Sequence, residues 1–316
     1  MGAAAGAFTA AMPSVLRAQQ YPSQDVHLIC ALPAGSAADI TVRWTAEQLR
    51  PLMKRTIIVE NKVGAGGNIA TGYVARSKPD GHTILINGAS AVAANMHLIK
   101  DSPVDAGKEI QVAATMNRQP TMLLVRADAP WKTVAELTAF LREKGDKATY
   151  GISNPLGKVM GAIYKAHEKL EAVEVQYRTG NDALNDFSSG VLDYGLFDNG
   201  FGTAQARAGR MRILAVSTPH RMQAIPDIPT MTEAGIPMGI TGWYAAMVPA
   251  ATPRPIVDQI NAMFTQAMGG EVARLRFLDT SSDSWVSTPD EAQAMFQQEI
   301  KDWADYVRLA KIDPQG

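Results

Sequence analysis

Val26-His27-Leu28-Ile29-Cys30-Ala31 runs without a break into Leu32-Pro33-Ala34-Gly35-Ser36-Ala37-Ala38-Asp39, and a segment of helical pattern over 40–49 follows. The order is strand, loop, helix. Gly35, Ser36 and the small residues beside them let main-chain N–H groups face a ligand, and a helix N-terminus adds partial positive charge that favours an anion. A carboxylate cradle is one reading of this stretch. A tight βα turn made of small residues is the other.

The same rhythm repeats downstream. Thr56-Ile57-Ile58-Val59-Glu60-Asn61 is a β-branched run suited to a strand buried on both faces, and it enters Gly64-Ala65-Gly66-Gly67-Asn68. A helix is expected over 69–77, closed by the turn signal Lys78-Pro79-Asp80-Gly81. Thr83-Ile84-Leu85-Ile86-Asn87 then reads as a third strand leading into Gly88-Ala89-Ser90. Strands alternating with helices at this spacing predict a parallel sheet whose ligands lie at the carboxyl ends of the strands. The three Gly-containing loops are therefore expected on one edge.

Further strands are expected at 110–115, 121–125, 149–152, 173–177, 194–198, 212–217 and 242–248. Thr133-Val134-Ala135-Glu136, Thr230-Met231-Thr232-Glu233 and Thr288-Pro289-Asp290-Glu291 have the spacing of capping boxes, each predicting a helix start. Thr252-Pro253 reads as another start. Ile256, Ile260, Met263, Phe264 and Ala267, and then Met295, Phe296, Ile300, Trp303 and Val307, form apolar stripes of helices packed on a core.

At 316 residues the chain has room for two α/β lobes, and 46% apolar against 19% charged residues suits a compact soluble protein. A net charge of −1 without a basic stripe argues against nucleic acid as a partner. The single cysteine, Cys30, excludes an intramolecular disulfide framework and a multi-cysteine metal site. Its place in an apolar run fits a small buried hydrophobe. Residues 1–20, small and weakly apolar with Ser14-Val15-Leu16-Arg17-Ala18 near the end, read as the remnant of an export signal whose basic start is missing. Export to the periplasm follows as an expectation, and no later segment is apolar enough to span a bilayer.

Enzymatic signatures are weak. His27, His82, His97, His167 and His220 show no zinc-site spacing, and there is neither a Gly-x-Ser-x-Gly elbow nor a Walker-type Gly-Lys-Ser/Thr. Gly64-Ala65-Gly66-Gly67-Asn68-Ile69 approaches a dinucleotide fingerprint but has Ile69 at the third glycine position, and the next strand ends in Asn87 rather than an acidic residue. A dinucleotide-dependent enzyme is the remote alternative. No catalytic residue, cofactor or metal is expected.

Taken together, these motifs resemble those of the extracytoplasmic solute-binding proteins of the tripartite tricarboxylate transporter, the Bug or TctC family, from Tyr21-Pro22 to about Ile312. The stretch from Leu32 to Asp39, followed by Ile40, is similar to the family's Phe-Pro-Pro-Gly-Gly loop with its following Asp. Val59-Glu60-Asn61-Lys62-Val63-Gly64-Ala65-Gly66-Gly67-Asn68, Lys78-Pro79-Asp80-Gly81-His82-Thr83, Phe197-Asp198-Asn199, Ile228-Pro229-Thr230 and Trp243-Tyr244 extend the match.

The resemblance implies an α/β, two-lobed periplasmic binding protein of type II-like form, each lobe a mainly parallel sheet flanked by helices, with the ligand cleft between lobes. Lobe 1 is expected to comprise 21–121 and 240–316, and lobe 2 to comprise 122–239. It further implies that a small organic carboxylate is bound in the first lobe by Leu32, Ala34, Gly35, Ser36, Ala37, Asp39, Gly66, Asn68, Gly88, Ala89 and Ser90. The second lobe is expected to close with Ser153, Asn154, Thr179, Asn181, Asp198 and Asn199. The implied partners are the permease subunits of the transporter or, alternatively, a membrane sensor kinase, with the binding protein itself a monomer.

Ser153-Asn154-Pro155-Leu156-Gly157-Lys158-Val159-Met160 departs from the family's Gly-, Ser- and Thr-rich loop, and the usual histidine after it is absent. Lys158 lies at a helix start, where its charge opposes the macrodipole unless an anion is near. A second ligand carboxylate is one such anion, and an outward, solvated lysine is the alternative. Arg118 and Arg178 are weaker candidates for that role. Trp44, Phe197, Phe201 and Trp243 are candidates for cleft walls or for core.

Overall fold

The computed structural model describes residues 21–314, so the segment read as an export-signal remnant lies outside the described residues. Eleven strands are described: β1 (Val26–Cys30), β2 (Ile57–Asn61), β3 (Thr83–Gly88), β4 (Ile110–Gln119), β5 (Thr121–Arg126), β6 (Thr149–Ile152), β7 (Val173–Gln176), β8 (Tyr194–Asp198), β9 (Met211–Val216), β10 (Gly242–Pro249) and β11 (Asp283–Ser284). They form two sheets of order β11-β4-β10-β3-β1-β2 and β7-β6-β8-β5-β9. Each sheet has a parallel βα centre, β2-β1-β3 in one and β7-β6-β8 in the other. The antiparallel pairings come from β4, β10 and β11 in the first sheet and from β5 in the second.

The chain passes between the sheets twice, from β4 through Pro120 into β5 and back along Ile240 and Thr241 into β10. Ser217, fully buried, ties the two crossings together. Its hydroxyl accepts from Thr121 N at 3.0 Å and donates to Ile240 O at 2.7 Å, while its backbone N–H donates to Thr121 O. Satisfying these buried polar groups at one point holds the crossing strands in register.

Leu28 and Ile29 are both wholly buried, so β1 is covered on both faces. Burial of side chains this size contributes about 1.5–3 kcal/mol each. β2 departs from its expected two-faced burial. It is the edge strand, Ile58 is 38% exposed, and its β-branched residues cover only one face. The boxes at Thr133 and Thr288 do cap helices, Val134–Lys144 and Pro289–Leu309. Thr230 and Glu233 make both reciprocal capping bonds, yet only a turn follows, because Gly235 takes a φ of +91° and Ile236 N turns back to Met231 O. At Thr252-Pro253 the cap is absent: Pro253 occupies the N-cap and the helix is Arg254–Met268.

The C-terminal elements clasp both sheets. Pro289–Leu309 packs on helix Ala89–Leu98 of the first lobe and reaches helix Pro155–Glu168 of the second. The segment around β11, which the sequence pattern does not announce, pairs with β4 and also touches the second lobe.

Candidate functional site

In β1, Cys30 is paired with Asn61 on one side and with Ile86 on the other, so the loops after β1, β2 and β3 leave one edge of the first sheet together. Helices Ala37–Met53, Asn68–Ala75 and Ala89–Leu98 start there. Ser36 caps the first, its hydroxyl accepting from Asp39 N at 3.2 Å. Leu32, Ala34, Gly35 and Ala37 are exposed. The first-turn N–H groups of Ala37 and Ala38 make no hydrogen bond among the described residues, as a helix start leaves them.

Asp39 builds this loop from within. Its side chain is 3% exposed; Oδ2 accepts from Gly35 N at 2.8 Å and from Arg43 Nε at 2.9 Å, and Oδ1 accepts from Asn61 Nδ2 at 2.8 Å. The same Asn61 amide donates to Leu32 O at 2.9 Å. Arg43 foremost, with Gly35 and Asn61, holds the carboxyl at about 2 despite burial.

In the second loop Gly67 is required by close approach. Its φ is +99°, and a Cβ there would stand 3.2 Å from Asn87 Nδ2 and 3.4 Å from Ala31 Cβ. The Asn68 amide is buried, donating to Ser102 Oγ at 3.0 Å and accepting from Asn95 Nδ2, which also donates to Gly66 O. Helices Asn68–Ala75 and Ala89–Leu98 have no side-chain cap, and their N-cap glycines, Gly67 and Gly88, leave the helix starts unobstructed. The Ser90 hydroxyl donates to Thr241 O at 3.1 Å, so Ser90, like Ala89, can offer the cleft its backbone and not its side chain.

On the second lobe Asn154 caps helix Pro155–Glu168 by accepting from Gly157 N at 2.8 Å, and Ser153 beside it is partly exposed. Lys158 is partly exposed and paired. Its Nζ lies 3.2 Å from Glu174 Oε1, while Glu174 Oε2 accepts from Tyr150 Oη at 3.0 Å. The anion that offsets its position in the helix is thus Glu174. Thr179 N and Oγ1 both donate to Asp182 Oδ2 at 3.0 Å, closing the turn that carries the exposed Asn181. Arg178 is exposed with Asp182 at 3.8 Å, and Arg118 lies over the Trp285 ring at 4.2 Å.

Asp198 ends β8 and caps helix Asn199–Arg207, Oδ1 accepting from Phe201 N at 2.9 Å; burial pushes its carboxyl up. Asn199 is buried and its amide donates to Thr280 O and to Ser282 Oγ at 2.8 Å, joining helix Asn199–Arg207 to the segment before β11. Thr203 Oγ1 and Ser281 Oγ, 2.8 Å apart, make the third bond of the seam.

Sequence reasoning passed over Tyr244 as a site residue, although Trp243-Tyr244 was a visible signal. Tyr244 is paired with Gly88 and with Asn117, while Asp198 is paired with Thr121, so the two stand on either side of the Pro120 crossing, at the floor between the lobes. Burial foremost, with the Asp198 carboxyl nearby, raises the Tyr244 hydroxyl and keeps it a donor. Trp243 and Phe197 are core, Phe201 packs on Gly180, and Trp44 stands edge-on to Phe277.

Among the described residues no group of three or more His, Cys, Asp or Glu is arranged to hold a metal ion, and no helix is long and apolar enough to cross a membrane. Two surface grooves, one along Ile69 and Tyr73 and one along His27 and His82, are lined by first-lobe residues alone and are separate from the interlobe floor.

The arrangement can hold an anion by main-chain donors and helix starts without a basic side chain. Known proteins agree with it. Residues 41–311 match the model of the tripartite tricarboxylate transporter family receptor. A UPF0065 protein of Bordetella bronchiseptica is 30% identical over 302 residues, covering 94% of this chain and 89% of the relative. The R. palustris protein Rpa4515, solved with adipate, superposes with a TM-score of 0.83 at 25% identity, covering 93% of this chain and 99% of that one. The periplasmic binding protein BugD superposes with a TM-score of 0.79 at 25% identity, covering 93% of this chain and 100% of that one. The chain belongs to the tripartite tricarboxylate transporter receptor family, whose members are solute-binding receptors and not enzymes.

Proposed function

We propose that this protein is exported to the periplasm, captures a small organic dicarboxylate between its lobes as a monomer, and delivers it in the closed form to the permease of a tripartite tricarboxylate transporter. The observation that carries the reading is the convergence of three helix starts, at Ala37, Asn68 and Ala89, on one sheet edge. Their partial positive charges favour an anion, and the backbone N–H groups of Ala37 and Ala38 are not otherwise engaged. The adipate held by Rpa4515 supports a straight-chain dicarboxylate of about that size as the first class to try. Closure is a population shift, so the ligand must interact better with both lobes together than with the first lobe alone.

Calorimetric titration with straight-chain mono-, di- and tricarboxylates tests the ligand class, and small-angle scattering with and without the best binder tests closure. The expected result is micromolar or tighter binding of a diacid with compaction. Binding confined to uncharged solutes, or no change in radius at saturation, rejects the reading.

A further inference from the structure

The seam between the lobes lies beside the first crossing of the chain. β1, β2 and β3 run parallel, β10 is antiparallel to β3, and β4 and then β11 alternate again, so the end of β4 and the start of β11 share the edge from which the cradle loops leave. On the second sheet Asp198, at the end of β8, is paired with Thr121 at the start of β5. Asp283, paired with Arg118, and Asn199, which follows Asp198, therefore flank Gln119-Pro120 from two facing edges. Bonds that span these edges hold the lobes together and break when the lobes part. Asn199 Nδ2 donates to Thr280 O and to Ser282 Oγ at 2.8 Å, and Thr203 Oγ1 lies 2.8 Å from Ser281 Oγ.

Asp283 makes one more span. Its Oδ2 accepts from Gln223 N at 3.3 Å, in the connection that leaves β9, with the Ala224 N–H beside it. Oδ1 is enclosed and makes no hydrogen bond among the described residues. Trp285 N donates to Met116 O, so the pairing with β4 continues past β11 and sets Asp283, Trp285 and Arg118 on one face. The Arg118 guanidinium rests over the Trp285 ring at 4.2 Å and has no hydrogen bond or ion pair among the described residues. A carboxylate with one unanswered oxygen thus has an unanswered guanidinium as its register partner.

Resting on the proposed hinge closure, we propose that Asp283 is the switch of an interlobe latch: with the lobes together its carboxylate binds the Gln223 backbone while Asn199 and Thr203 hold Thr280–Ser282, and with the lobes apart the same carboxylate turns to Arg118 of its own sheet. Each arrangement then has a contact that the other lacks, as a two-state element requires. The balance between them belongs to the ligand-free chain, and the apparent affinity for any cargo scales with the fraction of protein in the binding-competent arrangement. Arg118 is a positioning residue here, acting on closure without touching the cargo.

Double electron–electron resonance between nitroxide labels on Glu47→Cys and Ser188→Cys, exposed positions on the two lobes, reads the interlobe distance with and without adipate or succinate; Cys30 is buried away from the label. Thr203→Val removes the bond to Ser281 with little change of shape, and is expected to move the ligand-free distribution to longer distances and to weaken adipate binding about threefold to tenfold. Arg118→Gln removes only the contact of the parted lobes, and is expected to move the distribution to shorter distances and to tighten binding about threefold. Opposite shifts in the ligand-free protein are the signature of the exchange, because a simple loss of packing does not produce them. A ligand-free distribution unmoved by one or both variants, or moved the same way by both, overturns the latch, and shortening of the labelled parent by either diacid then leaves capture by closure standing. A parent distribution that neither diacid nor either variant changes overturns closure and the latch together.

Discussion

Asn61 Nδ2 lies 2.8 Å from Asp39 Oδ1 and 2.9 Å from Leu32 O, so the end of β2 clamps both sides of the loop that follows β1. The loop is thus held by the chain's own side chains. Asp39→Ala is expected to cost about 2–3 kcal/mol, since it strands the Gly35 N–H and the Asn61 amide and frees Arg43. The pH dependence has a definite sign. Asp39 titrates at about 2 in the fold against 3.8 as its ordinary value, so its contribution is complete above 3.8 and is lost as pH falls from there toward 2. Urea unfolding of wild type and Asp39→Asn over pH 2–6 checks this, with the difference between them shrinking at the acid end.

Gly67→Ala is expected to lose about 1–3 kcal/mol and to weaken ligand binding more than tenfold. The added Cβ is strained at φ +99° and meets Asn87 Nδ2 at 3.2 Å, so relief comes only by moving the second loop away from the first. Thermal unfolding and titration with the best diacid measure the two effects separately.

Much of the first lobe was legible because its signals are local. Alternation of apolar runs with Gly-containing loops fixes the βαβαβ order and therefore the shared edge of Leu32–Asp39, Gly64–Asn68 and Gly88–Ser90. Side-chain direction was not legible. Asp39, Asn68 and Asn199 stand where ligands are expected, yet their side chains bond to Arg43, one helical turn on, and to Asn95 and Ser282, which are distant in sequence. Lys158 carried a valid electrostatic warning, an unfavourable charge at a helix start, but its resolving anion, Glu174, belongs to a strand whose register the sequence does not reveal. Tyr244 and Asp198 come to the two sides of the Pro120 crossing only through the pairing of β10 with β3 and β4 and of β5 with β8, which no local pattern encodes.

Lys158→Ala is expected to change stability by less than about 1 kcal/mol, as partly exposed ion pairs do. Affinity for a diacid and for its monoacid should change together and by less than about threefold. A tenfold loss restricted to the diacid means instead that Lys158 leaves Glu174 on closure. Titration of both ligands on the variant separates the two outcomes.

The seam between helix Asn199–Arg207 and the segment before β11 ties the second lobe to the first through Asn199, Thr203, Ser281 and Ser282. Asn199→Ala leaves Ser282 and Thr280 O without that amide in a buried place, at an expected cost of about 1–3 kcal/mol. Amide hydrogen exchange should quicken across 279–284 and 199–205 and stay unchanged in β1–β3. Unchanged exchange across 279–284 rejects the seam as a link between the lobes.

Glu299 lies behind the cradle, accepting from Trp243 Nε1 at 2.6 Å and bonded to Ser90 at the start of helix Ala89–Leu98. Burial pushes its carboxyl up to about 7, outweighing these hydrogen bonds. A carboxyl raised in the fold is protonated there while the unfolded chain, with its ordinary value of 4.5, has already released its proton. Folding is therefore penalised in full above pH 7, and the penalty disappears as pH falls from 7 to 4.5. Its size is about 1–3 kcal/mol. Glu299→Gln, which keeps an amide of similar shape without the charge, should be more stable than wild type at pH 8 and equal to it near pH 4.5. Unfolding free energies of the two proteins at pH 4.5, 6, 7 and 8 give the comparison directly. A constant difference across that range means that Glu299 does not titrate in the fold between those limits, and the cradle then rests on an ionised carboxylate held by Trp243 Nε1.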